Sequence, residues 1–152
     1  MPENIEEKNI TVNRKARHEF AILATFEAGI VLQGTEVKSL RQGKINLTDS
    51  YAQITNSEVW LLNAHINVYD HGNINNHDPL RRRKLLLNKS EIRKLEKAVH
   101  EKGNTIIPLR FYFKQGIVKV EIAIAKGKKV YDKRRDIAQK DAERELDRKI
   151  KY

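Results

Sequence analysis

The sequence predicts a mainly β fold: an OB-like antiparallel β-barrel with two or three flanking helices and a flexible basic C-terminal tail. Two observations predict the barrel. Short strand-like segments are joined by short turns, and the helix-like segments interrupt these strands rather than alternating with them. A third observation predicts the tail, because apolar residues become sparse and basic residues frequent after residue 125. We therefore expect a mobile leader at residues 1–12, the barrel at 13–125 and the tail at 126–152.

The first predicted strands are rich in aromatic and β-branched residues. They cover Phe20–Phe26 and Gly29–Gln33, and the turn-forming residues 27–29 separate them. A short helix is predicted at Thr35–Leu40, and Gly43 is well placed to end it. We therefore expect this part of the chain to form a strand, a tight connection, a second strand and a helix.

A β-hairpin is predicted in the middle of the chain. Its strands are Ser50–Ile54 and Glu58–Ile66, joined by the turn formers at 55–57. Alternation along the second strand indicates that Trp60 and Leu62 point to one face.

The segment that follows the hairpin, residues 69–79, consists almost entirely of turn formers, so we expect a surface loop that contributes little core. His71 and His77 lie beside Asp70 and Asp78, which raises the question of a metal site. Their spacing matches no compact ligand pattern, and the sequence has no cysteine to anchor a thiolate site. We expect no metal and no cofactor.

The clearest helix is predicted at Asn88–Lys102. Asn88 is a favourable N-cap, Glu91 completes a capping box and Gly103 ends the helix. Its apolar stripe consists of Ile92, Leu95 and Val99.

A second hairpin is predicted at Thr105–Phe113 and Ile117–Ala125, with its turn at residues 114–116. In its second strand apolar residues alternate with Lys119 and Glu121, so one face should be buried and the other charged.

The C-terminal tail carries 11 Lys and Arg against six Asp and Glu, a net charge of +5 over residues 126–152. Small apolar residues recur every fourth position and opposite charges pair at helical spacing. The stripe is too narrow to pack well, so we expect a tail that is disordered when free and helical on a partner surface.

The composition indicates a polyanion-binding protein. The whole chain has 30 Lys and Arg against 20 Asp and Glu, a net charge of +10, but charge alone leaves nucleic acid, anionic lipid and acidic protein surfaces as possible partners. The absence of cysteine excludes disulfides and cysteine nucleophiles and favours the reducing cytoplasm. The N-terminus lacks the regions of a secretory signal, and no apolar run approaches the roughly 20 residues that cross a bilayer. We therefore expect neither export nor a membrane partner.

Basic residues form three clusters, at 14–18, 81–84 and 126–135. Each cluster alone could be a solvated charge run. If the three converge on one face, they form a phosphate-binding surface on which tyrosines are available for stacking against bases. Those tyrosines are Tyr69, Tyr112 and Tyr131.

Catalysis is not indicated. A carboxylate pair such as Glu27 with Glu36, or Asp132 with Asp136, could serve a small hydrolase in principle, but so many charged residues form such pairs by chance. The sequence has no nucleophile elbow, no phosphate-binding glycine loop and no paired-histidine metal motif. We expect that the protein is not an enzyme.

Six ordered blocks carry a resemblance to a known family. They lie at residues 13–18 (NRKARH), 26–29 (FEAG), 32–41 (LQGTEVKSLR), 46–51, 83–87 (RKLLL) and 125–129 (AKGKK), the last followed by 132–134 (DKR). Together they resemble the SmpB family of bacterial tmRNA-binding (SsrA-binding) proteins, from residue 13 to the C-terminus. The resemblance implies a barrel that binds the tRNA-like domain of tmRNA, and a tail that enters the empty mRNA channel of a stalled ribosome. The alternative is a generic ribosomal or structured-RNA-binding OB-fold protein without a tmRNA role.

The same resemblance implies partners and site residues. The partners are tmRNA and the small-subunit decoding centre of the ribosome, with elongation factor Tu and alanyl-tRNA synthetase engaged indirectly through tmRNA; the protein itself is expected to be a monomer. By position, Glu27, Leu86 and Lys119 match family residues associated with tmRNA binding. The further basic candidates for tmRNA binding are Arg14, Lys15, His18, Lys38, Arg41 and Lys84. The candidates for the decoding site are Lys126, Gly127, Lys128, Lys129, Tyr131, Asp132, Lys133 and Arg134.

The three positional matches differ in chemistry. Lys119 lies on the polar side of an alternating strand, where phosphate can reach it. Leu86 lies in a run that is equally consistent with a core strand. Glu27 repels phosphate, so a contact with RNA would require it to accept a hydrogen bond from a base amino group or a 2′-hydroxyl.

Overall fold

The computed structural model describes residues 6–71 and 76–128. Within these residues the strands are β1 Glu7–Val12, β2 Phe20–Ile30, β3 Ile45–Asn46, β4 Tyr51–Thr55, β5 Glu58–Leu62, β6 His65–Ile66, β7 Arg83–Leu86, β8 Asn104–Lys114 and β9 Ile117–Gly127. The helices are α1 Ala16–Glu19, α2 Gly34–Arg41 and α3 Lys89–Val99. All of the strand pairings are antiparallel.

The large sheet closes into a barrel. Its strand order is β1-β8-β4-β5-β7-β2-β9, and β8 also pairs with β9, which joins the two sides. The long strand β8 therefore has three partners: β4 near its start at Ile106, β1 near its end at 110–114, and β9 along its other edge. The predicted antiparallel barrel with flanking helices is confirmed.

The barrel interior is filled by the inward-facing apolar residues of its strands, as a closed sheet requires. Fully buried examples are Ala28, Val59, Leu61, Ile106, Phe111, Val120 and Ile122. α3 covers part of this core with Leu95, which is completely buried, and Ile92 and Val99 pack beside it.

The prediction of a break at residues 27–29 is wrong. β2 runs without interruption from Phe20 to Ile30, and Ala28 is a buried core residue opposite Val120. Gly29 does not form a turn. It lies where Leu86 of the neighbouring strand comes close, which is a second common reason for glycine within a strand.

The mobile leader is also corrected. Residues 7–12 form β1, which pairs with β8 from Glu7↔Lys114 to Val12↔Arg110. The guanidinium of Arg110 donates hydrogen bonds to Asn9 (2.8 Å) and Glu7 (2.9 Å). These contacts join residues about a hundred positions apart, so the local pattern of residues 1–12 gave no sign of them.

The middle hairpin is confirmed, but its second strand is shorter than predicted. β4 and β5 pair around a turn in which Asn56 and Ser57 both have positive φ, as a tight two-residue hairpin requires. Trp60 lies on the outer face of β5, while its neighbours Val59 and Leu61 face the core. The strand ends because Asn63 adopts a positive φ. The segment His65–Ile66 is the separate strand β6, which pairs with β3 in a two-stranded sheet.

α3 begins at its predicted cap, and α2 begins at Gly34, one residue before the predicted Thr35. Gln33 with Glu36 and Asn88 with Glu91 each form a capping box. α3 ends at Val99, three residues earlier than expected, and the Asn104 side chain donates to the carbonyl of Ala98 at 3.0 Å.

A buried ion pair fixes α2 to the barrel. Glu36 and Arg83 are both fully buried and hydrogen-bonded to each other, and Arg81 reaches the second oxygen of the same carboxylate at 2.5 Å. Arg83 also donates to the carbonyls of Ala64 (2.7 Å) and Pro79 (3.1 Å), so each of its three guanidinium nitrogens makes a hydrogen bond.

The loop that follows β6 contributes to this packing, contrary to the prediction. His77 is buried, with Nδ1 2.9 Å from the hydroxyl of Thr35 and Nε2 2.9 Å from the carbonyl oxygen of Ile66. Because a carbonyl oxygen only accepts, Nε2 donates to Ile66; in the neutral imidazole, Nδ1 then accepts from the Thr35 hydroxyl. His77 is thus a structural residue that ties the loop to α2.

The end of β9 differs from the prediction in two ways. The expected charged face holds for Lys119 and Glu121, but Ala123 and Ala125 on the same side are buried in a second small core beneath Ala16 of α1. β9 also continues through Lys126 and Gly127, which pair with Ala21 and Phe20. The barrel therefore extends beyond residue 125, where the tail was expected to begin.

Candidate nucleic-acid interface

The outer face of the barrel brings together three residues that are distant in the sequence. Gly29 of β2 pairs with Leu86 of β7 on one side and with Lys119 of β9 on the other. Glu27 lies two residues before Gly29 in the same strand and therefore on the same face. We call Glu27, Gly29, Leu86 and Lys119 the outer-face site.

Leu86 is a surface residue. Its side chain is 50% exposed, whereas Leu85 is 2% exposed and belongs to the core. The alternative in which Leu86 is a core residue is therefore wrong. Gly29 explains part of this exposure, since a Cβ at position 29 would lie 3.2 Å from the Cβ of Leu86, and the absence of a side chain leaves open the space beside the leucine.

Glu27 is held in its ionised form. Its partial burial acts to raise the pKa, but the hydrogen bond from Lys114, at 3.0 Å, and the positive charges of Lys114 and Lys119 outweigh burial, so the pKa is lowered. An ionised carboxylate offers only acceptors. This state suits a hydrogen bond from a base amino group or a 2′-hydroxyl.

Tyr112 is not available for stacking, contrary to the sequence prediction. It is 1% exposed, and the guanidinium carbon of Arg110 lies 3.9 Å from the centre of its ring. Burial and the nearby negative charge of Glu27 raise the pKa of Tyr112, so its hydroxyl stays protonated. Arg110 is itself fixed by ion pairs with Glu7 (2.9 Å) and Glu121 (3.1 Å).

Sequence reasoning missed Arg110 and its partners. The predicted hairpin, with its turn at 114–116, would set Arg110 opposite Val120. The structure instead pairs Lys114 with Ile117, and this register sets Arg110 opposite Glu121. Nothing local indicates Glu7, because its contact depends on β1 reaching the far end of β8.

Lys38 and Arg41 lie on the exposed side of α2. The ammonium of Lys38 is 5.4 Å from the centre of the Tyr69 ring, so this tyrosine already packs against a cation. Arg41 lines a cleft of about 260 Å³ together with Phe113. This cleft also borders residues 8–10 of β1, so Arg41 faces β1 and the end of β8.

The cluster at 81–84 is not one basic patch. Arg81 and Arg83 bind the buried Glu36, and Lys84 pairs with Glu58 at 3.3 Å. Arg82 is the member that stacks on an aromatic ring, with its guanidinium carbon 4.4 Å from the centre of Trp60. Lys84 shares the outer face with Leu86, two residues away on β7.

At the opposite end of the barrel, the cluster at 14–18 lies beside residues 126–128, the described part of the third cluster. The backbone N–H of Lys128 donates to the carbonyl of Glu19 at 3.0 Å, and Lys126 and Gly127 pair with the start of β2. Arg14, Lys15 and His18 are exposed beside them. A cleft of about 690 Å³ opens there, lined by residues of 11–20 and 45–51. We call this region the α1 end.

The structure therefore divides the predicted tmRNA-binding residues between two surfaces. Phe20 and Gly29 are nine steps apart along β2, a separation of about 30 Å at roughly 3.3 Å per residue. Glu27, Leu86, Lys119 and Lys84 meet on the outer face, and Arg14, Lys15 and His18 lie at the α1 end. Lys38 and Arg41 lie apart from both groups, on the exposed side of α2. The predicted decoding-site residues Lys129, Tyr131, Asp132, Lys133 and Arg134 lie outside the described residues.

The remaining hypotheses from the sequence concern metals and membranes. In residues 6–71 and 76–128, no three His, Cys, Asp or Glu side chains gather in a way that could hold a metal ion. In the same part of the chain, every helix is too short or too polar to cross a membrane.

Comparisons with known proteins show what this chain is similar to. The family model described as "SmpB protein" matches residues 10–152. Two similar proteins are an SsrA-binding protein of Alkaliphilus oremlandii, 61% identical over 95% of this chain and 93% of the relative, and one of Acetivibrio thermocellus, 58% identical over 96% of both. A chain in a solved structure described as "tmRNA-SmpB: a journey to the center of the bacterial ribosome" is 50% identical, with a TM-score of 0.67 over 79% of this chain and 85% of that one.

Proposed function

The chain belongs to the SmpB protein family, and from that premise we propose that it is an RNA-binding adaptor of trans-translation, which binds the tRNA-like domain of tmRNA and brings it to stalled ribosomes. Its bacterial relatives are SsrA-binding proteins, and its structural neighbour is described with tmRNA and the bacterial ribosome. The barrel, its excess of basic residues and its exposed outer face all suit an RNA partner.

The observation that carries the proposal is the outer-face site. Three residues from three different strands surround Gly29, and each offers a different contact. Lys119 can pair with a phosphate, the half-exposed Leu86 can pack against a ribose or base, and the ionised Glu27 can accept from an amino group or a 2′-hydroxyl. A surface that only attracted polyanions would not retain an ionised carboxylate at its centre, so this combination favours specific recognition of RNA.

The α1 end provides a second basic surface, which we assign to RNA phosphates as well. Arg14, Lys15 and His18 are exposed there, close to the point at which the chain continues into the tail. In this proposal the tail enters the decoding centre, with Lys126 to Lys129, Tyr131 and the Asp132–Arg134 motif near the empty mRNA channel. The separation of about 30 Å between the two surfaces would let the barrel hold tmRNA with one face and meet the ribosome with the other.

The proposal assigns no catalytic step to the protein. The candidate pair Glu27 and Glu36 does not form, because Glu36 is buried between Arg81 and Arg83 while Glu27 is exposed and bound to Lys114. We propose that the protein acts in the cytoplasm as a monomer. Elongation factor Tu and alanyl-tRNA synthetase then meet it indirectly, through the tmRNA that it carries.

Filter binding tests the proposal. The full chain is titrated with a transcript of the tRNA-like domain and, as a control, with duplex DNA of the same length, over a range of salt concentrations. We expect tight, salt-dependent binding of the RNA and much weaker binding of the duplex. Equal affinity for the two nucleic acids would overturn specific recognition and leave a general polyanion binder.

A further inference from the structure

In the arginine-rich run before β7, Arg82 differs from its neighbours in the kind of side chain that it contacts. Arg81 and Arg83 are bound to Glu36, and Lys84 is bound to Glu58. In the described part of the chain, no carboxylate pairs with Arg82. Its guanidinium lies instead over Trp60 of β5, which is half-buried.

The stack fixes the guanidinium while leaving its donors accessible. Arg82 is exposed, and its guanidinium carbon is 4.4 Å from the centre of the indole. A cation over the face of tryptophan is attracted by the ring, and tryptophan is the best aromatic partner for this contact. The arginine side chain therefore loses less conformational freedom when a ligand binds to its N–H groups.

The stack lies next to the outer-face site. Trp60 pairs with Lys84 across β5 and β7, and Lys84 is two residues from Leu86 on the same face. Two residues along a strand span roughly 7 Å, so Leu86 and the Trp60–Arg82 stack are close enough to contact one RNA molecule. The local charge is net positive, since Arg82 and Lys84 face the single carboxylate of Glu58.

We propose that Arg82, held on Trp60, is a further RNA-phosphate contact that extends the outer-face site across β7 to β5. The inference rests on the proposed function, since the phosphate belongs to the RNA bound at Glu27, Leu86 and Lys119. The planar fork of arginine matches two phosphate oxygens at once, which a lysine ammonium cannot do. A stacked arginine with no carboxylate partner is suited to this contact, whereas a paired arginine would first have to give up its partner.

The test uses the full chain and a transcript of the tRNA-like domain. Trp60 is the only tryptophan in the sequence, so its fluorescence reports binding next to the stack without a label. The variants are Arg82→Ala, Arg82→Lys and, as the matched control, Arg93→Ala, which removes an exposed arginine from α3. Affinity is measured by filter binding at several salt concentrations, and thermal unfolding checks that each variant is folded.

We expect Arg82→Ala to weaken RNA binding about tenfold, at the lower end of what a hydrogen bond to a charged group contributes. The slope of log affinity against log salt should fall by about 0.7 to 0.9, the loss of one phosphate contact. Arg82→Lys should bind with intermediate affinity, Arg93→Ala should stay within twofold of the wild type, and tryptophan emission of the wild type should change on binding.

Suppose that the wild type prefers the tRNA-like RNA to duplex DNA, but Arg82→Ala and Arg93→Ala bind this RNA with equal affinity. That result would overturn this inference and leave the proposed function intact. Unchanged tryptophan emission on saturation would also contradict it. A wild type that did not distinguish the tRNA-like RNA from duplex DNA would overturn the proposed function, and this inference with it.

Discussion

Gly29 and Leu86 lie directly opposite each other on neighbouring strands, and a Cβ at position 29 would come within 3.2 Å of the Cβ of Leu86. The glycine thus leaves the space that lets a large apolar side chain stand at the surface, across β2 from Lys119. Local backbone geometry does not demand glycine here, because Gly29 lies within a regular antiparallel pairing rather than at a turn.

Gly29→Val tests this relationship. Its Cβ would lie 3.2 Å from the Cβ of Leu86, so its branched side chain would push Leu86 out of place, and we expect RNA affinity to fall. The cost in stability should be about 1 to 3 kcal/mol, the usual range for overpacking. Urea unfolding and filter binding measure the two effects. The matched control is Thr25→Val, on the same face of β2 and away from Leu86; if it lowered affinity equally, displacement of Leu86 would not be the cause.

Lys119→Ala removes the cation proposed to contact phosphate. Binding of the tRNA-like RNA should weaken several-fold, and the salt dependence should fall by the equivalent of about one phosphate contact. The pKa of Glu27 should also rise, because Lys119 is one of the charges that lower it. Lys97→Ala, on the exposed side of α3, is the control and should leave the salt slope unchanged.

Glu36→Gln removes the charge that pairs with the buried Arg83. We expect a loss of about 3 to 5 kcal/mol in the free energy of unfolding, because an unpaired buried cation remains. The exposed ion pair between Lys84 and Glu58 offers the control, because Glu58→Gln should lower the free energy of unfolding by less than about 1 kcal/mol. Equal losses in the two variants, measured by urea unfolding, would contradict the structural role of Glu36.

The pH dependence of stability follows from the same carboxylate. Burial acts to raise the pKa of Glu36, but hydrogen bonds from Arg81, Gln33 and Arg83 lower it below its ordinary value of 4.5. Its contribution is therefore fully present above pH 4.5 and is lost as the pH falls through the lower, folded-state pKa. Urea unfolding should be measured between about pH 3 and pH 6, a range that extends roughly one unit or more on either side of the ordinary pKa of glutamate. Between these limits the free energy of unfolding should fall less on acidification in Glu36→Gln than in the wild type.

Deletion of residues 132–152 tests the division between barrel and tail. The outer-face site lies entirely within the barrel, so binding of the tRNA-like domain should remain close to that of the wild type. Peptide tagging on stalled ribosomes should be abolished, because the tail is proposed to occupy the decoding centre. Loss of RNA binding and tagging together would contradict the division.

Elements whose signals are local could be predicted from the sequence. α3 has a capping box and an apolar stripe, and the second strand of the β8–β9 hairpin has a two-residue period. Both elements formed, although α3 ends three residues early and β9 runs two residues further than expected. β1 could not be predicted, because β8, about a hundred residues away, is what holds it. The sequence predicts a turn at Gly29 because it does not distinguish a glycine that lets a neighbouring side chain come close from a glycine that bends the chain.

Only part of the candidate site could be predicted from the sequence. Similarity to the family identified Glu27, Leu86 and Lys119, but the sequence could not show whether Leu86 was buried or exposed, since that depends on its partner strand. It also could not show which basic residues were already paired. Two of the three arginines at 81–83 bind Glu36, and only the tertiary structure reveals that Arg82 does not share this role.

The most direct test of the central claim is to sequence the RNA that copurifies with the native protein from its own cells. The account predicts that tmRNA is enriched far above its share of total RNA, and that the enrichment falls in the Lys119→Ala variant. Recovery of ribosomal and transfer RNA in proportion to their cellular abundance, without enrichment of tmRNA, would contradict it.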